Sequence, residues 1–461
     1  MAESAVFEEL GVFVRDRLDT WKVPGLAVAV LHDGSTEERG FGVAHAETGC
    51  PVRPDTLFQI GSITKVFTAT VVMQLVDEGK VDLDTPVVQY LPNLELADAE
   101  AQRAITLRHL LSHTSGIEGD YFADFGWGDD ALAKYVANLC TLRQWTRPGQ
   151  LWSYCNSGFN LAGRVIEVLL EKPYEQVVKE RIFDPLGMSR STFFAHEAIT
   201  FPVSVGHSYD PVSGAGPQIA RPYPIPRSSN PAGGIISTVG DLLRFAALHL
   251  DGGRAGETQL LSQASIEAMQ QQQVVAANFA DAYGIGWAIR TPGGARIVEH
   301  GGSTNGFQAQ LLLVPEQRFA VAVLTNSSRG TAAIRDIEEW ALERYCGITI
   351  EQPAVVSVAP EQLERVAGLY RRPGVEQVVR VEHDGIAVES TVQHPLTGEQ
   401  TKLPPIVAKP ISLNEFLVTE GDYRGMRIDF IDGESGRPTF MRFGGRLAER
   451  VEGEEPGQTQ G

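Results

Sequence analysis

Lysine is scarce in this chain of 461 residues, with only eight present, and Lys and Arg together number 39 against 58 Asp and Glu, a formal net charge of −19. No Lys/Arg-rich run offers the basic surface that displaces counterions from nucleic acid, so nucleic acid is excluded as an expected partner. Cysteine is sparse as well. Cys50, Cys140, Cys155 and Cys346 are dispersed without a CxxC pair, which argues against a disulfide framework and against a zinc site. The histidines are equally scattered. His196-Glu197 begins like a metalloprotease helix, but Thr200 stands where the second histidine belongs, so neither a metal nor a cofactor is implied. No apolar run reaches the length needed to span a bilayer, and no membrane partner is expected. The opening MAESAVFEELGVFVRDRL carries acids and an amphipathic pattern where a secretory signal needs a basic start and an apolar block. The expected setting is cytoplasmic, with reduced thiols.

What is present describes an ordinary globular chain, 43% hydrophobic and 21% charged, long enough for two or three domains. Phe7, Leu10, Phe13, Val14, Leu18 and Trp21 fall at helical spacing and predict a helix over residues 5–21. VPGLAVAVLHDG and RGFGVAHAE follow as two strands around a turn. A mainly helical stretch, roughly 60–250, precedes further strand signals at 283–290, 295–302, 307–315 and 319–327, and a helix over roughly 331–345 closes the unit. Strands from both ends of residues 1–346 thus bracket a helical block. The expected fold class is α/β (α+β), with one antiparallel sheet flanked by helices and an inserted helical region. Residues 347–360 read as a linker. Over 361–452, short alternating segments separated by Gly and Asp turns predict an all-β barrel domain. The polar, acidic tail 453–461 reads as disordered.

The chemistry begins in FQIGSITKVFTATVVMQL, residues 58–75. Positions i and i+3 share a helix face, so Ser62 and Lys65 stand side by side near the helix start, where unpaired N–H groups favour developing negative charge. Serine is a weak nucleophile until a base takes its proton. Lysine serves as that base when burial or nearby charge lowers its pKa. An N-cap serine followed by a surface lysine is the plain alternative. Against it, Lys65 is the only lysine with a serine three residues before it, and its neighbours Val66 and Phe67 are apolar. Two further signatures occur once each: Tyr154-Cys155-Asn156, the only Tyr-x-Asn, and His300-Gly301-Gly302, containing the only His-Gly.

With these three in order, residues 5–346 resemble the serine β-lactamase and penicillin-binding-protein superfamily. The nearest likeness is to its class C branch, with D-alanyl-D-alanine carboxypeptidases, D-aminopeptidases and esterases. LRHLLSHTSGI (107–117), RPGQLWSYCNSGFNLAG (147–163), IFDPLGMSRSTF (182–193) and NPAGGIISTVGDLLRF (230–245) support it. The resemblance implies Ser62 as acylated nucleophile, Lys65 as its activator and Tyr154 as proton shuttle, with Lys65 and Tyr154 both open as the first base. It implies that Asn156 holds the substrate amide and the lysine. The backbone N–H groups of Ser62 and Ser303 would form the oxyanion hole, beside His300, Gly301 and Gly302. The C-terminal domain resembles appended lipocalin-like barrels, which would cap the site's mouth or mediate assembly.

The pattern departs from the Lys-Thr-Gly of β-lactamases at His300-Gly301-Gly302. A lysine there is a permanent cation for a substrate carboxylate, whereas histidine is mostly neutral at pH 7. That argues against an efficient β-lactamase or carboxypeptidase. Cys155 reads as a small packed group, and His109 and His113 as packing and hydrogen-bonding residues. The expected activity is hydrolysis, through an acyl-enzyme, of amide or ester bonds in small peptides or D-amino-acid derivatives. An esterase or acyltransferase is the first alternative, and a non-catalytic penicillin-binding sensor the second. The expected partner is a small molecule or short peptide, with monomer and homo-oligomer both open.

Overall fold

Helix α1 (Ala5–Trp21) begins at Ser4, whose side chain accepts from the Phe7 N–H, and buries Phe7, Leu10, Val14 and Leu18. This is the amphipathic stripe expected of a helix lying on a sheet. The sheet it covers is antiparallel. Its strands are β1 (Gly25–His32), β2 (Ser35–His45), β3 (Cys50–Pro51), β4 (Ala282–Tyr283), β5 (Ala288–Arg290), β6 (Ile297–Thr304), β7 (Phe307–Val314) and β8 (Phe319–Thr325), in the order β4-β5-β6-β7-β8-β1-β2-β3. Strands from the two ends of the first 346 residues therefore pair, β1 with β8, in register from Leu26 opposite Thr325 to Leu31 opposite Ala320. The expected strand over 283–290 is split into β4 and β5, because Gly286 turns there at φ +79° and lies against Ala69.

Alternation along the central strands makes two cores. Val28, Val30, Leu312, Val314, Val321 and Val323 face α1 and a second helix, Gly330–Ala341. Ala27, Ala29, Leu311, Leu313, Ala320 and Ala322 face the helical block. A side-chain period of two on a sheet covered on both faces produces this division. At the centre of the helical block stands a helix at Thr64–Asp77, buried continuously from Thr64 to Leu75. Such a helix has no polar face to offer solvent, so a lysine within it must find partners inside the protein.

The computed structural model describes residues 4–393, 398–421, 423–433 and 436–452. It separates two units. The first holds the sheet and the helical block. The second comprises the chain from Glu351 on, together with 210–215 and 276–281, where the Asn278 amide donates to the backbone carbonyls of Arg427 and Arg442. Strands Gly368–Arg372, Val375–Glu382, Gly385–Gln393, Ile406–Pro410, Glu415–Val418, Arg427–Asp432, Pro438–Phe443 and Arg446–Arg450 run up and down, and the first and last pair. The result is a closed eight-stranded barrel, the form lipocalins also take. Ile406–Pro410 ends on a proline, a residue that demotes a run as a strand when read from sequence. The tail 453–461, expected to be disordered, lies outside the described residues. Among those residues, no helix is long and apolar enough to cross a membrane.

Candidate functional site

Ser62 sits in a 3₁₀ turn, Gly61–Ile63, that leads into the Thr64–Asp77 helix, one step before the first helical turn where the sequence put it. The turn lies against β6 through bare backbone. A Cβ on Gly61, which has φ +51°, would stand 2.6 Å from the Ser303 nitrogen. A Cβ on Gly302 would stand 1.9 Å from the Ile60 carbonyl oxygen and 3.2 Å from the Ser62 nitrogen. Two opposed glycines thus let the serine turn and the strand touch, which brings the backbone around Ser62 beside that of residues 302 and 303. Gly301 faces the other side of the sheet, where its Cβ would meet the Gln310 amide oxygen at 2.9 Å.

Lys65 is fully buried. Its Nζ donates to the Asn156 Oδ1 at 2.6 Å and to the Ala232 carbonyl at 2.6 Å, and lies 3.0 Å from the Ser62 Oγ. The rings of Tyr154 and Phe159 stand 4.9 and 5.6 Å from Nζ, their faces adding attraction for a cation. Two carbonyl acceptors occupy two N–H bonds, and the serine hydroxyl stands within reach of direct proton exchange.

Tyr154, Cys155 and Asn156 arrive on the segment entering the helix Asn156–Leu170. Cys155 is that helix's N-cap, its sulfur accepting from the Gly158 N–H at 3.2 Å. Burial pushes the Cys155 thiol up to about 11, so it caps and packs, as expected, and is no thiolate nucleophile. His113, at φ +60°, supports the same segment from below. Its Nδ1 accepts from the Cys155 N–H at 2.9 Å, which leaves Nε2–H to donate to the Tyr283 hydroxyl at 3.1 Å. Its ring packs on Tyr154 with centroids 4.2 Å apart. His109 instead bonds Thr106. The two histidines are therefore packing and hydrogen-bonding residues.

His300 projects from β6 toward the same place, its ring centroid 6.2 Å from that of Tyr154. Its Nδ1 donates to the Gly301 carbonyl at 2.6 Å, while Nε2 has no hydrogen-bond partner among the described residues. Burial first, and the Lys65 charge second, push His300 down to about 3. The ring is neutral at pH 7, and the site carries no strand cation for a carboxylate.

The structure thus gathers Ser62, Lys65, Tyr154, Asn156 and His300 around one point, with the Gly302–Ser303 backbone against the serine turn, and turns Gly301 away from it. Three contributors were missed. The Ala232 carbonyl is backbone and has no residue signature. Tyr283 acts through His113. Asp120 accepts from the Asn156 Nδ2 at 2.8 Å, and no local spacing in the sequence ties the two residues together.

Residues 13–344 match the family model described as Beta-lactamase. Penicillin-binding protein 4 of Amycolatopsis lactamdurans is 38% identical over 365 residues, spanning 76% of this chain and 94% of that protein. The octameric penicillin-binding protein homologue from Pyrococcus abyssi superposes with a TM-score of 0.66 at 26% identity, over 96% of this chain and 99% of its own. D-amino acid amidase from Ochrobactrum anthropi SV3, solved with L-phenylalanine amide, gives 0.61 at 26% identity, over 73% of this chain and 98% of its own.

Proposed function

The chain belongs to the β-lactamase family, and from that premise we propose that it is a serine hydrolase that works through an acyl-enzyme on amide or ester bonds of small peptides or D-amino-acid derivatives. The observation that carries this is the buried Lys65 amine, 3.0 Å from the Ser62 Oγ and held by two carbonyls. In the acylation step, the Ser62 oxygen bonds to the substrate carbonyl carbon and its proton passes to Lys65 or to Tyr154. The carbonyl electrons move onto oxygen, which the Ser62 and Ser303 N–H groups stabilise. A lost donor of this kind costs about 3–4 kcal/mol of barrier. The tetrahedral centre then collapses, and the leaving amine or alcohol departs with a proton delivered through Tyr154. Water, deprotonated by the same pair, releases the acyl group and restores Ser62.

The substrate class rests on charge and likeness. A neutral His300 offers no ion pair to a carboxylate beside the scissile bond, which disfavours penicillins and C-terminal carboxypeptide substrates. The likeness to a D-amino acid amidase supports acyl groups derived from D-amino acids. The test is hydrolysis of D-alanine and L-alanine p-nitroanilides side by side, with Ser62→Ala as control. Turnover of the D form that vanishes in Ser62→Ala is expected. Turnover of neither overturns the substrate class and favours an esterase or acyltransferase. Stable labelling of Ser62 by a penicillin without turnover favours a sensor. The octameric state belongs to the Pyrococcus abyssi homologue, and light scattering decides between monomer and assembly for this chain.

A further inference from the structure

The two ends of an asparagine amide have the same shape and opposite hydrogen-bonding sense. Lys65 Nζ, a donor, requires the oxygen end of Asn156, and has it at 2.6 Å. Turned over, the amide would set its NH₂ against the lysine's own N–H bonds. On the far side of the amide, Nδ2 donates to the Asp120 Oδ1 at 2.8 Å. An ionised carboxylate only accepts, so it rejects the turned-over amide by setting oxygen against oxygen. We propose that Asp120 is a positioning residue, which holds the Asn156 carbonyl toward Lys65 and sets the charge balance around that amine. The inference deepens the reading of Ser62 and Lys65 as the acylating pair and rests on it.

Residue 120 is held in place by its neighbour. The Gly119 carbonyl accepts the N–H groups of both Asn156 and Ser157, at 3.0 and 3.1 Å. A Cβ on Gly119 would come within 2.5 Å of the Tyr154 carbonyl oxygen, so the segment seats directly on the Tyr-x-Asn backbone and delivers the next side chain to the Asn156 amide. One amide separates the carboxylate from Nζ, near enough for its charge to bear on Lys65. Ser62, Asn156, the Ala232 carbonyl and the Tyr154 and Phe159 rings also face Nζ, and His300 and Cys155 nearby are neutral. Glu118 lies beside Asp120, and burial raises its carboxyl above the usual range. Asp120 is thereby placed to favour protonated Lys65, and its removal is expected to lower the pH at which Lys65 becomes a base.

The test uses the full chain and a fluorescent fluorophosphonate, which forms a bond from the Ser62 Oγ to phosphorus, expels fluoride and passes the serine proton to the base. Labelling rate is followed from mildly acid to alkaline pH in wild type, Asp120→Asn and Asp120→Ala, with Ser62→Ala as the silent control and circular dichroism confirming folding. Asp120→Asn is expected to slow labelling about tenfold, the worth of a hydrogen bond to a charged group, and to move the acid limb to lower pH. Asp120→Ala shows the same limb with a larger loss. Titration of ¹³C-labelled lysines, with Lys65 identified as the signal missing in Lys65→Met, is expected to show its pKa fall in Asp120→Asn. Rates within about twofold of wild type, or a loss of rate with limb and titration unmoved, overturn the proposal. Labelling that is absent from wild type, or persists in Ser62→Ala, strikes the acylating pair instead, and the Lys65 titration still decides the role of Asp120.

Discussion

At the scale of single residues, the site runs on side chains whose chemistry is changed by burial. Cys155 is the clearest case, because a thiol beside the tyrosine proposed as proton shuttle invites a nucleophilic reading. Its sulfur instead accepts the Gly158 N–H and is buried with a raised pKa. Cys155→Ser supplies a better cap acceptor and is expected to keep activity and stability. Cys155→Ala loses the cap and is expected to cost about 0.5–2 kcal/mol. Thermal melts of the two variants check this, and treatment with a maleimide is expected to leave turnover unchanged. A maleimide-sensitive enzyme whose sensitivity disappears in Cys155→Ser would reverse the reading.

At the scale of elements, the decisive contact is backbone against backbone, between the Gly61–Ile63 turn and β6. The Ile60 carbonyl occupies the space a Cβ on Gly302 would need. Gly302→Ala is therefore expected to push the turn off the strand and to separate the two N–H groups proposed as oxyanion donors. Turnover should drop by roughly 10²–10³, the value of one such donor, while the fold persists, since β6 remains paired to β7 from Val298 to Thr304. Steady-state kinetics with circular dichroism separate these outcomes. Near-normal turnover in Gly302→Ala would show that the contact does not build the oxyanion hole.

At the scale of the whole molecule, buried titratable groups of the first unit make stability depend on pH in both directions. His249 and His300 are held neutral by burial, each pushed down to about 3, against about 6.5 in the unfolded chain. A base with a depressed pKa contributes stability above the unfolded value and loses it as pH falls toward the folded one. Acid destabilisation is therefore expected to begin below pH ~6.5 and to reach a few kcal/mol, on the order of two pKa units per histidine, by mildly acid pH. On the other side stands Glu338, fully desolvated beside Glu299, its carboxyl held far above the usual range. Arg290 forks onto Glu299 at 2.7 and 2.5 Å, which leaves Glu338 the protonated member. A raised acid contributes stability below its unfolded pKa and loses it as pH rises through the folded one, here from about 4.5 up to about 8, so Glu338→Gln is expected to flatten the loss over that range. Urea unfolding across pH checks both limbs. With two units present, the transition of the first must be followed by its own probe.

The spacing of apolar residues was enough for α1 and for the strands β1, β2, β6, β7 and β8, because each must bury one face or both and local periodicity records which. Ser62 and Lys65 were legible for the same reason: three residues apart at a helix start, they are neighbours whatever the rest of the chain does. The split at Gly286 was hidden, since it depends on a close approach to Ala69 from a distant helix. So were Asp120, the Ala232 carbonyl and the tautomer of His113, each of which acts through a partner remote in sequence. The sequence by itself determined the chemical kinds of group available and the local faces on which they stand. Tertiary structure decided the state of those groups, because desolvation and long-range hydrogen bonds, which make Lys65 a buried amine and His300 a neutral ring, exist only when separate segments pack together.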